Sequence, residues 1–177
     1  MTPPPPRRPT HPQAAPGPTA PERPVPHPHP PPATPPFTLP EQRVLAGIAH
    51  GLYTPEIADR ERLPFPYVRA CTQALRHALG GRNHAAMVHR AYLTGALPPP
   101  APDPAPVRPC PGQRLLLPHI AAGDDVEEMS TALGCPVTAV RRDARALLAV
   151  LGAVNAPHAV TRAHQLRLLP GPAPDRP

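Results

Sequence analysis

Residues 37–81 read FTLPEQRVLAGIAHGLYTPEIADRERLPFPYVRACTQALRHALGG, and the punctuation of this stretch decides the fold. Thr38-Leu39-Pro40-Glu41 supplies a capping threonine, a proline in the first turn and a glutamate three residues on, the pattern that opens a helix. Val44, Leu45, Ile48, Ala49 and Leu52 follow at helical spacing, and Gly51 stands where a left-handed residue closes a helix. Thr54-Pro55-Glu56 opens a second, short helix with Ile57 and Ala58 turned inward. Pro64 and Pro66 forbid one continuous helix but fit the entry to a third, predicted from about Phe65 to Gly80-Gly81. At about 100° per residue, Val68, Thr72, Leu75 and Leu79 share one stripe of that helix, and Arg69, Ala70, Gln73 and Arg76 share the opposite one. A fourth helix from about Asn83 is expected to bury Ala86, Met87, Ala91 and Leu93. Four short helices with a tight turn before the third describe a helix-turn-helix domain.

Moving 72 residues along the chain reproduces this pattern without a gap. Leu45 falls on Leu117, Ile48 on Ile120, Ala49 on Ala121, Gly51 on Gly123 and Glu56 on Glu128. The register holds through Val68 and Val140, Arg69 and Arg141, Leu75 and Leu147, Gly80 and Gly152, and Asn83 and Asn155. The chain is therefore a tandem duplication. Its second copy departs at Pro118, inside the first helix, where a kink and a cost of about 3 kcal/mol are expected unless neighbours accommodate the ring.

Working outward, the 36 prolines of the 177-residue chain lie mostly outside the repeats. This predicts a proline-rich, disordered tail at 1–36, a first domain at 37–97, a proline-rich linker at 98–108, a divergent second domain at 109–169 and a tail at 170–177. Each domain has about sixty residues, too few for a large catalytic fold. Aromatic residues make up 3% and tryptophan is absent, so the cores fall to Leu, Val, Ala and Ile, and the expected class is all-α. The net charge is +6, and all 18 basic residues are arginine. Arginine suits phosphate and base-edge contacts. The same vocabulary also follows from GC-rich coding, so the placement of the arginines says more than their number. Five arginines between Arg62 and Arg90 have no acidic residue among them.

The stretch from Phe37 to Val88 resembles the LuxR-type (GerE-like) DNA-binding domain. The resemblance is carried by Glu41 with Val44-Leu45, Ile48-Ala49, Gly51-Leu52, Glu56-Ile57-Ala58, Val68-Arg69, Leu79-Gly80, Arg82-Asn83 and Val88. It covers residues 37–97 well and 109–169 more loosely, where Ala132-Leu133-Gly134 and Thr138-Ala139-Val140-Arg141 keep the turn and helix start but Gln113 replaces the glutamate. Pro64 and Pro136 stand where the family usually caps the reading helix with serine or threonine.

The resemblance implies a sequence-specific transcriptional regulator of double-stranded DNA, bacterial and cytoplasmic at the nucleoid. Its third helix would present Arg69, Ala70 and Gln73 to the major groove, with Arg141, Arg142 and Arg145 as the second copy's counterparts. Arg76, His77 and Arg82 would meet the DNA backbone. Pairing through the fourth helix is implied near Met87, Ala91, Val160 and Ala163, making the tandem a covalent pseudo-dimer, with homodimerisation as the other form. The span from Pro98 to Pro109, about 12 residues at about 3.1 Å each, would reach roughly 37 Å, against about 34 Å between half-sites one turn apart.

Other classes find less support. The expected protein is not an enzyme and uses no cofactor or metal. Cys71, Cys110 and Cys135 form no CxxC pair, the histidines form no HxxH or HExxH array, and no apolar run is long enough to span a membrane. The alternative reading is an adaptor that binds RNA polymerase or another regulator, with DNA contact vestigial.

Overall fold

The computed structural model describes Met1, residues 37–104 and residues 107–171. The expectations for the N-terminal tail and for residues 172–177 fall outside the described residues. Those residues contain eight helices and no strand: α1 (Leu39–Ala49), α2 (Thr54–Glu61), α3 (Phe65–Leu79), α4 (His84–Leu93), α5 (Pro111–Ala122), α6 (Val126–Leu133), α7 (Val137–Leu151) and α8 (Ala156–Gln165). The fold is all-α. Three helix pairs, α2/α6, α3/α7 and α4/α8, begin and end 72 residues apart, and α1 and α5 begin at that same offset.

Local chemistry accounts for these boundaries. Glu41 accepts from both the backbone N–H and the hydroxyl of Thr38, each at 2.8 Å, and Glu56 accepts from the Tyr53 N–H at 2.6 Å. At α6 the box is complete, with Asp125 and Glu128 each accepting from the other's backbone N–H at 2.8 Å. α3 and α7 start directly after Pro64 and Pro136 and close on left-handed Gly80 and Gly152. Asn83 and Asn155 cap α4 and α8 by accepting from the N–H groups of Ala86 and His158. Pro118 stands on the exposed side of α5, and the helix continues through it to Ala122.

The buried side chains repeat at the same offset. Val44, Leu45, Ile57, Val68, Leu75 and Val88 are matched by Leu116, Leu117, Met129, Val140, Leu147 and Val160, and all belong to one apolar cluster. Fully burying a side chain of this size contributes about 1.5–3 kcal/mol. The cluster is continuous because each repeat completes its burial on the other: α4 packs against α8 and α5, and α8 against α1. All eight helices lie in one compact unit.

Crossing contacts obey an approximate two-fold relation. Asn83 donates to the Gly123 carbonyl at 3.1 Å, and Asn155 donates to the Gly51 carbonyl at 2.8 Å. Tyr92 pairs with Thr161 through their hydroxyls at 3.1 Å, while His89 Nδ1 and His164 Nε2, at the swapped positions, lie 3.0 Å apart. The rings of Tyr92 and His164 meet near the pseudo-axis, with centroids 4.8 Å apart.

One sequence expectation changes here. Leu93 is exposed rather than buried, because the neighbouring Tyr92 carries the inward face of α4 against α8. The described part of the linker is fastened to the second repeat. The Asp103 N–H donates to the Gln165 carbonyl at 3.1 Å, and the Asp103 carboxylate pairs with Arg162 at 2.9 Å. Arg162 in turn donates to the Leu151 carbonyl, so one guanidinium ties the linker, α8 and the end of α7 together.

Candidate nucleic-acid interface

Helix α3 is amphipathic in the sense its sequence predicts. Val68, Cys71, Thr72 and Leu75 are buried, Leu79 is half-buried, and Thr72 returns its hydroxyl to the Val68 carbonyl at 2.8 Å. This stripe fixes the rotation of the helix, so Arg69, Ala70, Gln73, Arg76 and His77 are all exposed on the far side. Among the described residues, none of the polar side chains on that face is engaged in a hydrogen bond or an ion pair. Ala70, Gln73, Arg76 and His77 line a shallow cleft of about 640 Å³ that ends at Gly80-Gly81. The face thus offers two free guanidiniums, an amide and an imidazole in one row, the donors suited to base edges and phosphates.

Arg82 is placed differently from its neighbours. Its guanidinium reaches across to the second repeat and pairs with Asp124 at 3.1 Å and Glu128 at 2.6 Å. The hydrogen bond from Arg82 holds the Glu128 carboxyl below its ordinary range, and the same bond raises the pKa of the arginine. His119 shares Asp124 at 2.8 Å. Where the resemblance implies a phosphate, the structure gives Arg82 a pair of carboxylates.

The second repeat exposes Arg141, Arg142 and Arg145 on α7, as their spacing requires. Arg141 lies 3.4 Å from Glu127 of α6, and Arg142 lies 2.9 Å from the adjacent Asp143. The Asp143 bond and charge raise the pKa of Arg142. Arg145 alone of the three has no such partner among the described residues. The residues implied for pairing, Met87 and Ala91 on α4 and Val160 and Ala163 on α8, are all buried within the common cluster.

Sequence reasoning did not find the polar contacts that hold the repeats together. Gly51/Gly123 and Asn83/Asn155 are identical pairs, but so are many core positions such as Leu45/Leu117 and Val68/Val140. Nothing in the sequence said that each asparagine meets the other repeat's glycine. Comparison of the chain with protein-family models, curated proteins and solved structures gives no match.

Proposed function

We propose that this chain is a sequence-specific regulator that binds double-stranded DNA, its two repeats related as the subunits of a two-fold dimer but joined in one polypeptide. The observation that carries this reading is the outer face of α3, where Arg69, Gln73, Arg76 and His77 stand exposed and unengaged on a helix whose opposite face is locked into the core. Arginine and glutamine pair bidentately with guanine and adenine edges in the major groove, and Ala70 is small enough to admit a thymine methyl. Flanking cations hold phosphates and set the register. The placement of α4 on α8 supports the pairing, and action at the nucleoid belongs to the same reading.

The test is affinity of the full chain for a mixed-sequence duplex, followed by fluorescence anisotropy across a salt series. A binder of this kind loses affinity linearly in log salt, with a slope near −0.9 for each phosphate contacted. Affinity that is absent, or indifferent to salt, would remove the proposal. A second reading, an adaptor for RNA polymerase or another regulator, draws on the exposed Val150 and Val154 of the second repeat. Under it Arg69→Ala leaves activity unchanged, whereas under DNA reading it does not.

A further inference from the structure

Matching the two repeats position by position reverses the sign of their outer surfaces. Residues 52–83, from the start of α2 to the cap of α4, contain five arginines and three carboxylates, a net +2. Their counterparts, residues 124–155, contain three arginines and five carboxylates, a net −2. A duplication that preserved every helix boundary in this span has inverted its charge.

The inversion falls on α6 and α7, where Glu127 and Asp143 pair with arginines of the outer face of α7 and Asp124 and Glu128 pair with Arg82 across the interface. At the N-terminus of α6 stand Asp124, Asp125, Glu127 and Glu128, whose counterparts around α2 are Leu52, Tyr53, Pro55 and Glu56. Helix N-termini favour anions, and here the protein's own carboxylates occupy that place, with Asp125 and Glu128 closing the cap on each other. Farther along, Asp143 stands at the counterpart of Cys71 and holds Arg142 at 2.9 Å.

The flanks have changed as well. Arg76 and His77 correspond to Leu148 and Ala149, so α7 keeps guanidiniums in its middle but has no cation beyond them. Surface ion pairs such as Arg141–Glu127 are weak on their own. A reading helix, however, is held in register by phosphate contacts on either side of the bases it touches. Without them, and with Arg141 and Arg142 already paired to Glu127 and Asp143, the three arginines of α7 lack an anchor to a groove.

We infer that only the first repeat reads DNA, through α3, and that the second is a built-in pairing partner whose own reading face no longer engages the duplex. The inference rests on the DNA-binding reading and narrows it to a single contiguous half-site.

Selection from a random duplex library with the full chain, followed by anisotropy on the winning sequence at 0.15 M salt, tests it, with circular dichroism melting to confirm that each variant folds. The expected result is one short block of bases. Arg69→Ala should weaken binding by about 10- to 100-fold, and combined Arg141→Ala, Arg142→Ala and Arg145→Ala should change it by less than about 3-fold. Two blocks about one helical turn apart, or a large loss in the triple variant, would overturn the inference and leave DNA reading standing. No enrichment of any sequence would overturn both.

Discussion

Asn83 and Asn155 stand 72 residues apart and make the same two hydrogen bonds with the repeats exchanged. Each side-chain oxygen caps its own helix, and each side-chain NH2 donates to a glycine carbonyl of the other repeat, Gly123 at 3.1 Å and Gly51 at 2.8 Å. Contacts that reciprocate in this way are what a two-fold dimer interface becomes when one chain supplies both halves.

The two roles of the asparagine can be separated by substitution. Asn155→Asp keeps the cap and removes the donor, whereas Asn155→Ala removes both. A lost cap costs about 1 kcal/mol and a lost hydrogen bond about another 1 kcal/mol. Urea unfolding should therefore rank wild type above Asn155→Asp, and Asn155→Asp above Asn155→Ala.

Glycine is required at Gly51 for two reasons and at Gly152 for one. Both are left-handed, with φ +85° and +64°, and a side chain there costs about 1–2 kcal/mol. At Gly51 an added Cβ would also come within 3.0 Å of His158 Cβ and 2.5 Å of Val154 Cγ2, whereas at Gly152 nothing lies within 4 Å. Gly51→Ala should lower the melting temperature clearly more than Gly152→Ala, and equal losses would mean the approach of the repeats is looser than described.

Acid should loosen the contact between α4 and α8. His89 Nδ1 and His164 Nε2 share a hydrogen bond at 3.0 Å, which requires one ring nitrogen to accept. Burial, together with the nearby His89, pushes His164 down to about 4, and burial also lowers His89. Because the folded pKa lies below the unfolded value of about 6.5, the unfolded chain binds more protons between the two. Stability should then be full above about pH 6.5 and decline as pH falls toward 4. His164→Gln should flatten this decline in melts collected across that range.

Arg82 and Arg76 should part company in DNA binding. Arg76 is unengaged, while Arg82 is committed to Asp124 and Glu128. Arg76→Ala should reduce the salt slope of duplex binding by about 1, and Arg82→Ala should leave it nearly unchanged while lowering the melting temperature more at low salt than at high.

Much of this was legible in the sequence. Thr38 with Glu41, the Pro64 entry and the paired glycines predict helix limits because they act within one turn of chain, where the physics is local. The rotation of α3 was legible from Val68, Thr72 and Leu75, since a buried stripe leaves its opposite exposed. What escaped depends on how one repeat meets the other. Tyr92 takes the inward place with Thr161 and His164 opposite it, and Asp103 fastens the linker through Gln165 and Arg162 of α8. For the same reason the carboxylates that Arg82 meets across the interface were not legible in the sequence.

The most direct measurement is a 1H–15N correlation spectrum of the full chain, titrated with its selected duplex. If the first repeat alone reads the duplex, shifts will concentrate at Arg69, Ala70, Gln73, Arg76 and His77, with Arg141, Arg142 and Arg145 nearly silent. Equal shifts on α3 and α7 would contradict reading by one repeat, and a spectrum left unmoved on both helices would contradict DNA binding itself.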